Sequence, residues 1–394
     1  MGRIVAFVTA AAIAALAFAG PAGAAQGMLV GAAEDAGKEP NLAMAKTKMD
    51  LAKLAGLDAI RLTAQWKPGE TAPLPADLAS LQNAVDAADL DGITVFLSVY
   101  PTGSSVTPLT PAARAQFVSF AGSLAQSLPT VHRFIVGNEP NLNRFWMPQY
   151  TASGADAAAP AYEAMLAQTY DALKAVSPSV IVIGGALSPR GDDSVVSKKH
   201  SPTTFLTDLG KAYRSSGRTR PIMDAFALHP YEDNSSLPPT FAHPKSTTIS
   251  LADYPKLVAL LGDAFDGTAQ PGSTLPIYYD EFGVQTTIPA AEAVEYVGAE
   301  PPSTKSVTEA TQARYYDEAL ALAACQPTVA GLLLFHVSDE SNLARWQSGL
   351  FYANDAPKAS EPIVARGIQS LRATGVHPCT ASGVLAFAAR QSSG

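Results

Sequence analysis

Charged residues are scarce in this 394-residue chain, where Asp, Glu, Lys and Arg make up 16% against 47% hydrophobic residues. The net charge is -8, and no basic stripe runs along the sequence. Phosphate backbones are bound by clustered cations, so this balance argues against a nucleic acid partner. A neutral ligand such as a sugar suits it better. Cysteine is nearly absent, with only Cys325 and Cys379. Without Cys-x-x-Cys spacing the two are poor evidence for zinc. In an exported chain they read as a disulfide tying the C-terminal tail back to the fold, two free thiols being the alternative. Gly-x-Ser-x-Gly, His-Glu-x-x-His and a Gly-rich phosphate turn are all missing, and the six histidines are scattered. Those gaps leave serine-hydrolase, metal-hydrolase and nucleotide chemistry without support, so no cofactor and no metal are expected.

One long apolar run does occur, at the start. Arg3 supplies a positive flank, Ile4 to Ala19 is apolar, Gly20-Pro21 breaks it, and Ala22-Gly-Ala24 forms a small-x-small cleavage pattern. Residues 1–24 therefore read as an export signal, and the mature protein is expected outside the cell or at the cell wall. A membrane anchor is the alternative, but the run is short of the roughly 20 residues a span requires. No later segment is apolar enough to cross a bilayer, so no membrane partner is expected after cleavage.

Beyond the signal, short apolar runs alternate with longer amphipathic stretches. The strand candidates are Met28–Val30, Ala59–Leu62, Thr94–Val99, Phe134–Gly137 running into Asn138-Glu-Pro-Asn141, Val180–Ile183, Ala225–Leu228, Pro276–Glu281 and Gly331–Phe335. Helical spacing fills the gaps, for example over Pro111 to Leu128, where Thr110 is an N-cap and Pro111 occupies the first turn. Eight strands separated by helices predict an α/β fold with a parallel sheet, and the count matches a (β/α)8 TIM barrel. The rival, an open doubly wound sheet, usually carries a Gly-rich turn after its first strand; Gly31-Ala-Ala-Glu34 is no such turn. One barrel domain is expected over residues 25–380, with a tail at 381–394. The Pro- and Ser-rich stretches 232–248 and 286–306 read as long loops of that barrel.

In a barrel the strand ends converge on one mouth. Here they bring Glu34 and Asp35, Arg61, Tyr100, Asn138-Glu139, His229 and Tyr231, Asp280-Glu281 and His336. Two carboxylates on strands four and seven, Glu139 and Glu281, would face each other. Glu139 could instead cap a helix start, and Asp280 could replace Glu281 as the functional acid or make a structural salt bridge or hydrogen bond, the reading preferred for it. Side chains alternate along a strand, so Asp280 and Glu281 are not expected to point inward together.

Asn-Glu-Pro ending strand four, His-x-Tyr ending strand six and Glu281 ending strand seven resemble the largest clan of retaining glycoside hydrolases. Gly137-Asn-Glu-Pro-Asn141 looks most like its cellulase and xylosidase/iduronidase groups. The resemblance covers roughly residues 28 to 372. It implies a carbohydrate substrate, Glu139 as acid/base, Glu281 as nucleophile, Asn138 as ligand of the sugar 2-hydroxyl, and Arg61 and Tyr231 as partners of an ionised Glu281. Arg61 could also be a structural ion pair, and His229 part of an ordinary His-Pro turn. Two departures stand out: Gly137 and His336 sit where many relatives carry tryptophan. Trp66, Trp146 and Trp346 follow strands two, four and eight and are candidate stacking faces for sugar rings, loop packing being the alternative. Glu34, Asp35, Asp339 and Glu340 are candidate hydroxyl ligands, though solvated loop acids are commoner. Hydrolysis, transglycosylation and plain carbohydrate binding all remain open. A monomer is expected.

Overall fold

Eight strands close on themselves in chain order: β1 (Leu29–Ala33), β2 (Ala59–Trp66), β3 (Thr94–Pro101), β4 (Arg133–Val136), β5 (Ile181–Leu187), β6 (Ala225–Leu228), β7 (Ile277–Phe282) and β8 (Val329–Phe335). The computed structural model describes residues 27–374 and Cys379. The export signal 1–24 and the tail 381–394 lie outside the described residues. Every neighbouring pair is parallel, including β1 with β8, which completes the circle. Each strand candidate read from the sequence overlaps one of these strands, Met28, Gly137, Val180 and Pro276 falling just outside, and the α/β barrel reading holds.

Eight helices follow the strands: α1 (Leu42–Leu54), α2 (Pro75–Asp91), α3 (Pro111–Ser127), α4 (Ala158–Val176), α5 (Pro202–Ser215), α6 (Tyr254–Phe265), α7 (Glu309–Ala324) and α8 (Glu361–Thr374). Their starts are written in the sequence. Thr110 accepts from the Ala113 amide at 3.1 Å and Pro111 fills the first turn of α3. Asn41, Ser201 and Thr308 cap α1, α5 and α7 in the same way.

Two apolar layers result. The larger lies between strands and helices; the smaller fills the barrel, with Phe96, Ile135, Ile183, Tyr278 and Leu333 packed among alanines. Phe96 and Tyr278 meet edge to face at 5.1 Å, so the interior is a packed core with no through-channel. The long loops after β6 and β7 are joined at the mouth, the Ser235 amide donating to the Thr304 carbonyl at 3.0 Å. Cys325, just after α7, is disulfide-bonded to Cys379 with the Cα atoms 5.5 Å apart, the pairing expected from the sequence.

Candidate active site

The turn after β4 presents Asn138 and Glu139 to the mouth because of what lies beneath it. Gly137 has φ 94°, and a Cβ there would sit 2.8 Å from the Tyr162 ring of α4. The Tyr162 hydroxyl donates to the Val136 carbonyl at 2.7 Å and accepts from the Gly185 amide at 2.8 Å. A side chain at 137 has neither the space nor the favoured backbone. Glu139 is itself left-handed, at φ 40°, and its amide is tied to the Ala186 carbonyl at 2.8 Å. Non-glycine residues held in this region carry strain of order 1–3 kcal/mol and recur at functional sites.

Arg61 organises the floor. It is buried, and one terminal nitrogen donates to Glu281 while the other donates to Asn138 Oδ1 at 2.7 Å and to Ser98 Oγ at 3.1 Å. It lies in the third position of β2 and not at the strand's end; the β2–β3 ladder runs on to Trp66 and Pro101. Asp280 corrects a sequence expectation. It does not turn away from Glu281: its Oδ2 lies 3.6 Å from Arg61 Nε and its Oδ1 3.4 Å from His229 Nε2. The β7–β8 register shifts between Tyr279 and Phe282, and this bulge breaks the alternation that would separate the two acids.

His229 ties the halves together. Fully buried, its Nδ1 lies 3.0 Å from Glu139 Oε1 and 3.4 Å from Glu281 Oε2. Those two carboxylate oxygens are thus no farther apart than the two distances laid end to end, about 6.4 Å. The Tyr231 hydroxyl donates to Glu281 Oε2 at 3.0 Å. Burial alone would raise the Glu281 carboxyl, but His229, Arg61 and the Tyr231 hydroxyl outweigh it and hold the group below the usual carboxylate range. Burial likewise pulls the His229 imidazole down, yet Glu281, Asp280 and Glu139 carry it up to about 10.

Arg61, Asn138, Glu139, Tyr231 and Glu281 floor a cleft of about 1070 Å³, while His229, expected from the sequence at the mouth as a substrate contact, is sealed behind them and does not line it. Of the three tryptophans only Trp346 lines it, tilted against Tyr231 at 4.9 Å and edge-on to Phe335 at 5.1 Å. Trp66 and Trp146 do not. On β2 the alternation sends Arg61, Thr63 and Gln65 to the cleft and Trp66 outward, fully buried, with its ring edge-on to Phe117 of α3. Trp146 is buried against Tyr162 at 5.7 Å, and its neighbour Phe145 faces the cleft in its place. His336, left-handed at φ 77°, lines the opposite wall, its Nδ1 3.5 Å from Glu34 Oε2. Burial pulls this imidazole down, but Glu34 and Glu340 raise it overall. Glu34, Asp35 and Glu340 line the cleft, whereas Asp339 is buried in a 2.8 Å ion pair with Lys358.

Sequence reading missed Ser98, Phe145 and Tyr162. Ser98 shares its parity on β3 with the interior Phe96 and the cleft-lining Tyr100, so period two could have found it. No local signal marks Tyr162, whose role depends on how α4 docks.

The fold and floor define a (β/α)8 barrel carrying a carboxylate pair at the C-terminal mouth of its strands. No protein-family model matches the sequence, and no curated protein matches it. Among solved structures the fold is similar to a family 39 glycoside hydrolase from the gut symbiont Bacteroides cellulosilyticus WH2. That likeness has a TM-score of 0.61 and 17% identity over 87% of this chain, which spans 64% of the other, just under two thirds. It is similar to the GH39 enzyme from Xanthomonas axonopodis pv. citri, with TM-score 0.56, 16% identity and coverage of 90% and 68%. A GH5_18 variant from Streptomyces cattleya in complex with Manb1-4GlcNAc gives TM-score 0.57, 16% identity and coverage of 90% and 83%. Identities this low speak to the shared barrel.

Proposed function

We propose that the protein is a secreted, monomeric glycoside hydrolase that acts with retention on β-linked gluco- or xylo-type sugars. Glu139 is the acid/base and Glu281 the nucleophile. A glycosidic oxygen is a poor leaving group, so one acid protonates it while a carboxylate attacks the oxocarbenium-like carbon. The observation that carries this reading is the sharing of one imidazole nitrogen by the two glutamates, at 3.0 and 3.4 Å. It keeps those two oxygens no more than about 6.4 Å apart, which supports the closer spacing of retaining enzymes over the about 6.5–9.5 Å that leaves room for an inverting water. Glu281 has the ionised character a nucleophile needs, and Asn138, fixed by Arg61, faces the cleft where a 2-hydroxyl would lie. Similar folds named as glycoside hydrolases, one of them in complex with Manb1-4GlcNAc, are consistent with a β-linked carbohydrate substrate. The Cys325–Cys379 disulfide agrees with export.

A panel of 4-nitrophenyl β-glycosides, with product anomers followed by NMR, tests it. Net retention and loss of turnover in both Glu139→Gln and Glu281→Gln are expected. Net inversion, or no glycoside turned over by folded wild type, would overturn the reading.

A further inference from the structure

Asp280 does not line the cleft, yet it is a fully buried acid facing the same two cations as Glu281. Its two oxygens make no hydrogen bond and instead face cations, Oδ1 toward His229 Nε2 at 3.4 Å and Oδ2 toward Arg61 Nε at 3.6 Å. His229 is consequently bracketed by acids. Asp280 lies beyond Nε2, while Glu139 and Glu281 share Nδ1. A neutral imidazole has one donor and one acceptor nitrogen, so in either tautomer a lone pair would face a carboxylate, Asp280 beyond Nε2 or the ionised Glu281 beyond Nδ1. Only the imidazolium presents an N–H toward both sides. The groups facing it are Asp280 and Glu281 of β7, Glu139 after β4, Arg61 of β2 through Asp280, and the Tyr231 ring at 6.4 Å on its own segment.

We propose that Asp280 is a positioning residue, the permanent counter-ion that keeps His229 protonated and aimed at Glu139 through both halves of the reaction. The inference rests on the retaining reading above. In the first half, Glu281 attacks the anomeric carbon, the glycosidic C–O bond breaks, and the Glu139 proton goes to the leaving oxygen. Glu281 is then an uncharged ester and Glu139 a carboxylate. The negative charge has crossed from one side of the Nδ1–H to the other, from the 3.4 Å partner to the 3.0 Å partner. In the second half, water attacks the same carbon, its proton goes to Glu139, and the ester bond breaks to restore the Glu281 carboxylate. The moving charge requires a donor that stays charged while Glu281 is neutral. Asp280 is the one acid at His229 that takes no part in the exchange.

The Glu281→Gln variant reproduces the uncharged nucleophile without any substrate. Ring ¹⁵N shifts of His229, assigned by their loss in His229→Gln, are titrated from pH 6 to 10 in wild type, Glu281→Gln and Glu281→Gln/Asp280→Asn. His229 is expected to remain an imidazolium at pH 7.5 in the first two. Its midpoint should fall by about one unit or more, tenfold in proton affinity, when Asp280→Asn is added. A neutral ring at pH 7.5 in wild type or Glu281→Gln overturns the proposal, and so does a double variant that titrates like the single one. If the double variant does not fold, the Asp280→Asn single variant is titrated in its place, with a fall in the His229 midpoint from wild type expected and an unchanged midpoint overturning the proposal. Kinetically, Asp280→Asn should move the alkaline limb of kcat down by about one pH unit or more. A purely structural contact would lower activity evenly across pH, and that result also overturns the proposal. If no glycoside is turned over, the hydrolase reading fails while the titration still tests the buried ion triad.

Discussion

Asp280 and Glu281 are adjacent in sequence and reach the same two cations, Arg61 and His229. Regular strand geometry forbids this, since neighbours point to opposite faces. The register shift after Tyr279 allows it. One acid is thereby sealed beneath the floor while the other remains at the cleft.

The acid/base assignment predicts a dependence on the leaving group. Glu139→Ala should lose roughly 10²–10⁴-fold in kcat/KM on a 4-nitrophenyl glycoside and much less on the 2,4-dinitrophenyl analogue, which needs no protonation. Azide should restore turnover with a glycosyl azide product, detectable by mass spectrometry.

Tyr231→Phe removes the hydroxyl that donates to Glu281 at 3.0 Å. A hydrogen bond to a charged group contributes about 1.5–3 kcal/mol, and 1.36 kcal/mol is one pKa unit. The acidic limb of kcat/KM should therefore rise by about one pH unit, with the fold intact by circular dichroism.

Stability against pH follows from opposite shifts. The folded Glu281 carboxyl lies below its unfolded value, so its contribution is present above about pH 4.5 and is lost as pH falls through the folded value. His229 is raised from 6.5 to about 10, so its contribution is full below about pH 6.5 and is lost as pH rises toward 10. Urea denaturation of His229→Gln should show a flatter decline over pH 6.5–10 than wild type.

Trp66 and Trp346 should separate stability from binding. Trp66→Ala empties a fully buried site and should cost about 3–5 kcal/mol in chemical denaturation. Trp346→Ala, at the cleft wall, should instead raise KM by up to about tenfold through loss of an aromatic face. A large KM effect from Trp66→Ala at full folding would contradict its placement.

The disulfide closes a sequence separation of 54 residues. Chain-entropy reasoning gives about 4 kcal/mol for such a loop. Cys325→Ser/Cys379→Ser should lower the midpoint of guanidinium unfolding accordingly, and reduction of the wild type should do the same.

Much of this architecture was legible in residue order. Apolar runs at Ala59–Leu62, Thr94–Val99 and Gly331–Phe335, punctuated by capped helices such as the one Thr110 starts, are local signals with a fixed period, and local periods survive folding. Numbering the strands then placed Glu139 and Glu281 on one mouth. Parity was harder. Trp66 follows β2 as a stacking residue should, but whether it faces the cleft depends on which face of β2 the closed barrel turns inward, and Arg61 had claimed that face. Trp146 and Phe145 are neighbours of similar character, and the docking of Tyr162 decided which was buried.

The sequence by itself determined the strand count, the approximate extent of the helices and the position of Glu139 and Glu281 at strand ends, because each rests on near-neighbour sterics and hydrophobic period. Tertiary structure decided everything that depends on chain segments far apart. It set the bulge that lets Asp280 join Glu281, the packing of Tyr162 against Gly137, and the approach of His229 to three acids 51 to 90 residues away. Electrostatic character falls off over a few ångströms, so it belongs to the residues that closure brings together and not to their order along the chain.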